Sequence, residues 1–124
     1  MAPLIPGSAT AEGTTRYADR FAGRLPAEHF RGLDGLRCST VGVGTYLGRE
    51  DAATDVLYQD AIARALELGL NVIDTAVNYR HQRSERAIRT ALDTAIRRGT
   101  IGRDEVVVAT KGGYIPFDGA VPRD

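Results

Sequence analysis

The chain has 124 residues, enough for one domain, and its 43% hydrophobic and 26% charged residues are ordinary for a globular protein. Sixteen basic and sixteen acidic side chains give a formal net charge of zero, so charge offers no argument for a nucleic-acid or membrane-surface partner. No apolar run approaches the roughly 20 residues of a membrane span, and one cysteine with two histidines argues against a disulfide or a Cys/His metal site, so we expect a cytoplasmic protein.

The first 26 residues are rich in Ala, Gly, Thr and Pro and have little apolar periodicity. This composition predicts a flexible N-terminal tail over residues 1–26, with at most one helical turn over residues 17–22. The arginines of this segment are expected to be solvated. A single folded domain is predicted over residues 27–124.

The domain is predicted to begin with a β-hairpin, because residues 29–31 and 36–39 flank a loop that carries Gly32 and Gly35. Residues 41–46 follow as a short, buried strand. Gly42 and Gly44 form only a Gly-x-Gly, which is a poor dinucleotide-binding fingerprint, so close packing at a barrel or turn is the favoured interpretation.

Two amphipathic helices follow. Thr54 is predicted to cap the first and Gly69 to end it, while Ser84 and Gly99 are predicted to do the same for the second. Each helix has apolar residues spaced i, i+3, i+4, i+7, i+8, which defines one buried face. The two faces comprise Tyr58, Ala61, Ile62, Ala65 and Leu66, and Ile88, Ala91, Leu92, Ala95 and Ile96.

Residues 71–75 and 106–110 are apolar runs typical of buried strands, so the order is hairpin, β, α, β, α, β. That order predicts an α/β fold with parallel strands and right-handed crossovers. The leading hairpin favours a TIM (β/α)8 barrel over a doubly wound sheet. A complete barrel needs about 250 residues, so this chain is expected to hold only the hairpin and the first three β/α units.

Polar residues stand where two of these strands end. Asp74 and Lys111 close the strands and Tyr79 lies in the loop between Asp74 and the second helix. Lys111 is the only lysine among sixteen basic residues, and an ammonium can be tuned by its surroundings where a guanidinium cannot. These groups together predict a compact acid–base site. Taken singly, Asp74 could be a turn carboxylate and Tyr79 a packed loop aromatic, with Tyr46 or Tyr58 able to serve as well.

Several segments, in this order and at this spacing, resemble the N-terminal part of the aldo-keto reductase family. They are the hairpin over residues 30–39, Val43-Gly44-Thr45-Tyr46, residues 71–79 followed by Ser84-Glu85, and Val107-Val-Ala-Thr-Lys111. The resemblance covers about residues 29–115. It implies an NADP(H)-dependent reduction of an aldehyde or ketone to an alcohol, or the reverse oxidation.

The resemblance also implies roles for single residues. Tyr79 would be the general acid, Lys111 would assist it with its positive charge, and Asp74 would hold Lys111 charged and oriented. Gly44, Thr45, Tyr46 and Asp74 would border the cofactor. The family's fourth catalytic residue, a histidine, and the segments that grip the cofactor phosphates would lie beyond the last residue of this sequence.

Two functional hypotheses follow. In the first, the chain is the N-terminal part of an aldo-keto reductase and is inactive alone. In the second, it is a non-catalytic interaction or regulatory module that associates with itself or with a separately encoded remainder of the barrel. A cluster of Arg80, Arg83 and Arg86 is interpreted as a solvated loop and helix start, with phosphate or substrate contact as the alternative.

Overall fold

The computed structural model describes residues 4–116, so residues 117–124 of the predicted domain lie outside the described residues. The elements in chain order are α1 (Ala11–Asp19), β1 (Phe30–Leu33), β2 (Leu36–Ser39), β3 (Val43–Gly44), α2 (Ala52–Glu67), β4 (Val72–Asp74), α3 (Arg83–Arg97) and β5 (Val107–Ala109). Single turns of 3₁₀ helix cover Ala27–His29 and Arg103–Glu105.

The strands β3, β4 and β5 form a parallel sheet in that order, with Gly44 opposite Asp74 and Asp74 opposite Ala109. Helices α2 and α3 make the connections between them, which confirms the predicted β-α-β-α-β order. The predicted hairpin is also confirmed, as β1 and β2 pair antiparallel in a separate sheet. Its turn residues Asp34 and Gly35 both have positive φ, +48° and +81°, as tight hairpin turns require.

The core forms where α2 and α3 pack together beside β4. Ile62 and Leu66 of α2 and Ile88 and Leu92 of α3 are buried together with Ile73 of β4. The predicted face of α3 is buried except for Ile96, which is partly buried against the core. The predicted face of α2 is only partly covered, because Ala61 is exposed and Tyr58 and Ala65 are half-buried.

Both helix starts differ from the prediction, whereas both helix ends agree with it. Asp51 caps α2 by accepting a 2.8 Å hydrogen bond from the backbone N–H of Thr54. Gln82, in a left-handed conformation, precedes α3, and Ser84 is buried inside the first turn. Gly69 and Gly99 follow the two helices with φ of +97° and +71°, the conformation that favours glycine at this position.

The prediction of a flexible tail over residues 1–26 is wrong for its second half, where α1 forms. Thr10 caps this helix by accepting a 2.9 Å hydrogen bond from Gly13 N–H. Tyr17 and Phe21, one helical turn apart, pack against each other and against Phe30. The Tyr17 hydroxyl donates a 2.5 Å hydrogen bond to the main-chain oxygen of Leu66, so α1 is part of the core.

Two arginines predicted to be solvated are exposed, at 53% and 41% of their side chains, and they also attach α1 to the 3₁₀ turn before β5. Arg16 and Arg20 both form ion pairs with Glu105, whose side chain is only 4% exposed. Arg16 also pairs with Asp104 at 2.7 Å. These contacts join residues almost ninety positions apart, which a local pattern does not encode.

Asn71, just before β4, ties the hairpin to the sheet. Its side chain is fully buried and accepts a 2.8 Å hydrogen bond from Ser39 N–H. Its amide donates to the main-chain oxygens of Arg37 and Glu105 at 3.0 and 3.1 Å. The amide therefore satisfies three main-chain groups, two in β2 and one in the 3₁₀ turn before β5, at the end of the sheet opposite to Asp74.

Candidate active site

The ends of β4 and β5 bring Asp74 and Lys111 together. Lys111 lies two residues past β5, and its Nζ atom donates hydrogen bonds to Asp74 Oδ1 at 2.9 Å and to the main-chain oxygen of Thr75 at 2.7 Å. The Lys111 main-chain oxygen in turn accepts a 3.0 Å hydrogen bond from Val77 N–H. Side-chain and main-chain hydrogen bonds thus connect the end of β4 and the loop after it to the residues that follow β5.

Tyr79 lies beside this ion pair. The Lys111 Nζ atom is 5.1 Å from the centroid of the Tyr79 ring, within the range of a cation–π contact. The Tyr46 ring packs edge-on against Tyr79, with centroids 5.0 Å apart. The Tyr79 ring therefore contacts both an ammonium and a second aromatic ring.

Electrostatically, Lys111 is stabilised in its charged form. The hydrogen bond to the Asp74 carboxylate raises the pKa of Lys111 above its ordinary value, partial desolvation opposes this, and the Asp74 charge and Tyr79 phenol add to the increase. The two side chains of the ion pair are 50% and 54% exposed, so solvent reaches the site. The site thus holds a fixed positive charge next to a phenol that solvent can reach.

The end of β3 supplies the residues predicted to border a cofactor. Thr45 is buried and donates a 2.9 Å hydrogen bond from its hydroxyl to the main-chain oxygen of Asp74. Gly44 is exposed, and an added Cβ would meet no described atom within 4 Å. Tyr46 has an exposed ring. In contrast, a Cβ on Gly42 would lie 2.8 Å from the Val72 main-chain oxygen, so this glycine permits close strand packing.

Ser84 supports the site through a hydrogen bond, a role that the sequence analysis did not predict for it. Its buried hydroxyl donates a 2.6 Å hydrogen bond to the main-chain oxygen of Thr45. The side chains of Ser84 and Thr45 therefore link the start of α3, the end of β3 and the end of β4. The signal in the sequence was a small polar residue on the buried side of α3, and it was interpreted as a cap.

The turn between Tyr79 and α3 has an unusual backbone. Arg80, His81 and Gln82 have φ of +50°, +50° and +66°, and none of the three is glycine. Such left-handed conformations cost about 1 kcal/mol or more for each non-glycine residue, so neighbouring contacts must hold them.

Those contacts come from Asp55 in the first turn of α2. Arg80 is buried and its Nη2 atom lies 2.7 Å from Asp55 Oδ1, while Arg83 Nη2 lies 2.7 Å from Asp55 Oδ2. The interpretation of the arginine cluster as a solvated loop is therefore wrong for Arg80, whose side chain is 1% exposed. Because Asp55 already pairs with Arg80 and Arg83, phosphate contact by these two residues is also disfavoured.

Neither a metal-binding cluster nor a membrane-spanning helix is present among the described residues. Between residues 4 and 116, no group of three or more His, Cys, Asp or Glu side chains is arranged to hold a metal ion. None of the helices in that range combines the length and apolar character of a membrane-spanning segment.

All six residues singled out from the sequence thus lie at one end of the parallel sheet, namely Gly44, Thr45, Tyr46, Asp74, Tyr79 and Lys111. A model of the aldo/keto reductase family matches residues 40–123, a range that contains all six and covers more than half of the 124 residues. The chain therefore belongs to the aldo/keto reductase family.

Proposed function

We propose that this chain carries the acid–base residues of an NADP(H)-dependent oxidoreductase that reduces an aldehyde or ketone to an alcohol, or catalyses the reverse reaction. Family membership supports oxidoreductase chemistry in general. The observation that carries the finer proposal is the Lys111 ammonium, which contacts both the Asp74 carboxylate and the Tyr79 ring. We expect the reaction to take place in the cytoplasm.

In the reductive direction, Tyr79 donates its phenolic proton to the carbonyl oxygen of the substrate. When bound, NADPH would supply the hydride for the carbonyl carbon of the substrate. Lys111 stabilises the phenolate that remains on Tyr79, and Asp74 keeps Lys111 charged and directed towards it. Solvent reaches the half-exposed ion pair and returns the proton to the phenol.

The residues at the end of β3 fit a nicotinamide ring. The open space beside Gly44 allows a close approach to the backbone, and the exposed ring of Tyr46 offers a stacking surface. The Thr45 hydroxyl is already used in the bond to Asp74, so Thr45 would shape the site rather than bind the cofactor through its hydroxyl. Asp74 would border the cofactor on the side next to Lys111.

We also propose that the three parallel strands are the first three of a TIM (β/α)8 barrel. Active sites of such barrels are built at the carboxyl ends of the strands, which is where Asp74 and Lys111 stand. In the described residues, β3 and β5 are both edges of the sheet, and a barrel would pair them with further strands. A polypeptide of residues 1–124 alone is therefore expected to be inactive.

The test is the loss of NADPH absorbance on addition of an aromatic aldehyde, an aliphatic aldehyde or a ketone. It uses the gene product purified from its source cells. Tyr79→Phe should lower kcat by about 10²–10⁴-fold, because the general acid is removed without loss of the ring. Tyr114→Phe, at an exposed ring, is the matched control and should leave the rate unchanged. A rate that survives Tyr79→Phe would exclude the proposed acid.

The same assay on the 124-residue polypeptide tests the alternative that the chain is a non-catalytic module completed by a partner or by a second copy. The two uncovered sheet edges favour that alternative. A clear rate from residues 1–124, abolished by Tyr79→Phe, would contradict the expectation of inactivity. A stable oligomer that Tyr79→Phe and Lys111→Met leave unaffected would support the interaction module.

A further inference from the structure

We propose that Asp55 is a positioning residue for Tyr79. Its carboxylate binds both ends of the left-handed turn that follows Tyr79, and this contact fixes the direction in which the phenol leaves the backbone. The inference rests on the proposed function of Tyr79 as the acid.

The first step is the strain in the turn. Arg80 follows Tyr79 directly, and residues 80–82 all have positive φ without a glycine among them. A backbone of this kind persists only where the surroundings determine it, and it is found most often where function requires a particular geometry. The backbone conformation of this turn therefore depends on contacts with residues outside it.

The second step is the burial of Arg80. Its side chain is 1% exposed, and its Nε atom donates a 2.8 Å hydrogen bond to the main-chain oxygen of Arg49. Its guanidinium lies 4.9 Å from the centroid of the Tyr58 ring. Among the described residues, the buried Nη1 atom has no hydrogen-bond partner. A buried arginine with an unpaired donor is costly, and Asp55 is the one carboxylate in the described residues that forms an ion pair with it.

The third step is that the Asp55 carboxylate binds two arginines at once. Arg80 Nη2 binds its Oδ1 atom, and Arg83 at the other end of the turn reaches Oδ1 and Oδ2 through Nε at 3.2 and 3.1 Å. Burial acts to raise the pKa of Asp55, but hydrogen bonds from Arg83 and Arg80 outweigh it and leave the pKa below its ordinary value. Asp55 is thus the charged link between α2 and both ends of the turn.

The fourth step connects the turn to the phenol. The main-chain oxygen of Tyr79 accepts a 3.4 Å hydrogen bond from Ser84 N–H across the turn, and Tyr79 N–H donates to Ala76 at 3.1 Å. Relaxation of φ at Arg80 would rotate the chain next to Tyr79. The Tyr79 ring would then move relative to Lys111, which is held separately by Asp74.

The test uses the 124-residue chain and its single lysine. Growth on ¹³C,¹⁵N-lysine labels only Lys111, so one set of side-chain signals reports its position over the Tyr79 ring. Tyr79→Leu defines complete loss of the ring-current shift. Asp55→Asn keeps the shape but removes the charge, and it should remove at least half of that shift. Glu67→Gln breaks an exposed ion pair on the same helix and should leave the signals unchanged.

A purely structural role for Asp55 would lower the unfolding midpoint without moving the Lys111 signals. A folded Asp55→Asn variant with wild-type Lys111 signals would therefore overturn the proposal. If Asp55→Asn does not fold, Arg83→Gln, which leaves the Arg80 pair in place, must produce a smaller shift in the same direction, and no shift would again overturn it. The Lys111 signals are measured without turnover, so they test the role of Asp55 independently of activity. An absence of reductase activity in the gene product from source cells would refute the proposed function and leave the NMR result interpretable.

Discussion

The Nζ atom of Lys111 lies 2.9 Å from Oδ1 of Asp74, although the two residues are 37 positions apart in the chain. Parallel pairing of β4 with β5 accounts for this distance, because it sets Asp74 opposite Ala109. Lys111 follows two residues later, and the two-residue alternation of an extended chain directs its side chain to the same face as that of Ala109. The ammonium therefore meets the carboxylate as a consequence of the strand register.

The first prediction concerns the titration of Lys111. Its pKa should lie above the ordinary 10.5, and Asp74→Asn should lower it, because the carboxylate bond is the main cause of the increase. A raised pKa stabilises the fold below about pH 10.5, and the contribution is lost as the pH rises through the folded-state value. Side-chain NMR of the sole lysine measures this titration.

Asp93→Asn is the matched control for that titration, since Asp93 pairs with Arg97 on the surface of α3. It should leave the pKa of Lys111 unchanged. An Asp74→Asn variant that titrates with the wild-type pKa would show that the ion pair does not hold the ammonium charged.

The second prediction concerns Ser84. Ser84→Ala removes a buried 2.6 Å hydrogen bond to Thr45 and leaves that main-chain oxygen without this donor, so we expect a loss of about 1–2 kcal/mol in the free energy of unfolding. Thr90→Ala, on an exposed position of the same helix, should change it by less than about 0.5 kcal/mol. Urea denaturation measures both. Equal effects would mean that the buried bond adds nothing.

The order of elements could be predicted from sequence because each signal is local. Helical periodicity and the glycines at positions 69 and 99 determine where α2 and α3 end, and short apolar runs determine the strands. Both helix starts differed from the prediction, and for α2 the reason is physical. Asp51 and Thr54 are both good capping residues within one turn, and the choice between them depends on the chain before the helix.

What sequence could not reveal are contacts between distant residues. Tyr17 and Phe21 look like isolated aromatics in a polar segment until Phe30 and the end of α2 are beside them. Likewise, a local pattern indicates that Asp55 suits a helix start and gives no sign of its two arginine partners. The acid–base residues could be predicted because the ends of parallel strands meet at one edge of the sheet. The residues that support them, Ser84 and Asp55, act through tertiary contacts that a local pattern does not show.

The third prediction tests whether α1 belongs to the core. Tyr17→Phe removes a buried hydroxyl that donates to the last turn of α2, and it should lower the free energy of unfolding by about 1–2 kcal/mol. Tyr114→Phe, at a ring that is 77% exposed, is the control and should have no measurable effect. If the two variants unfold at the same urea concentration, the hydrogen bond from Tyr17 to α2 does not stabilise the fold.

The fourth prediction concerns Asn71. Asn71→Ala breaks three side-chain hydrogen bonds and leaves their partners buried, so a loss of about 3 kcal/mol or more is expected. Asn78→Ala, in the half-buried loop before Tyr79, should cost much less. Chemical denaturation followed by circular dichroism gives both values. A cost below about 1 kcal/mol for Asn71→Ala would mean that the hairpin is held to the sheet by other contacts.

The last prediction concerns acid. The pKa of Asp55 is lowered in the folded chain, so its charge stabilises the fold above the ordinary carboxyl pKa of 3.8 and this contribution is lost as the pH falls through the lower, folded-state value. Asp55→Asn should therefore cost about 2–3 kcal/mol at neutral pH, since it weakens charged hydrogen bonds to Arg80 and Arg83.

The difference between wild type and Asp55→Asn should stay constant from neutral pH down to about pH 5. It should shrink below about pH 4, because the carboxylate of the unfolded wild-type chain is protonated first and that of the folded chain only at its lower pKa. Urea unfolding at each pH provides the two free energies. Glu67→Gln should differ from wild type by less than about 0.5 kcal/mol throughout, because its ion pair with Arg64 is exposed. A difference for Asp55→Asn that does not depend on pH would mean that shape, rather than charge, holds the turn after Tyr79.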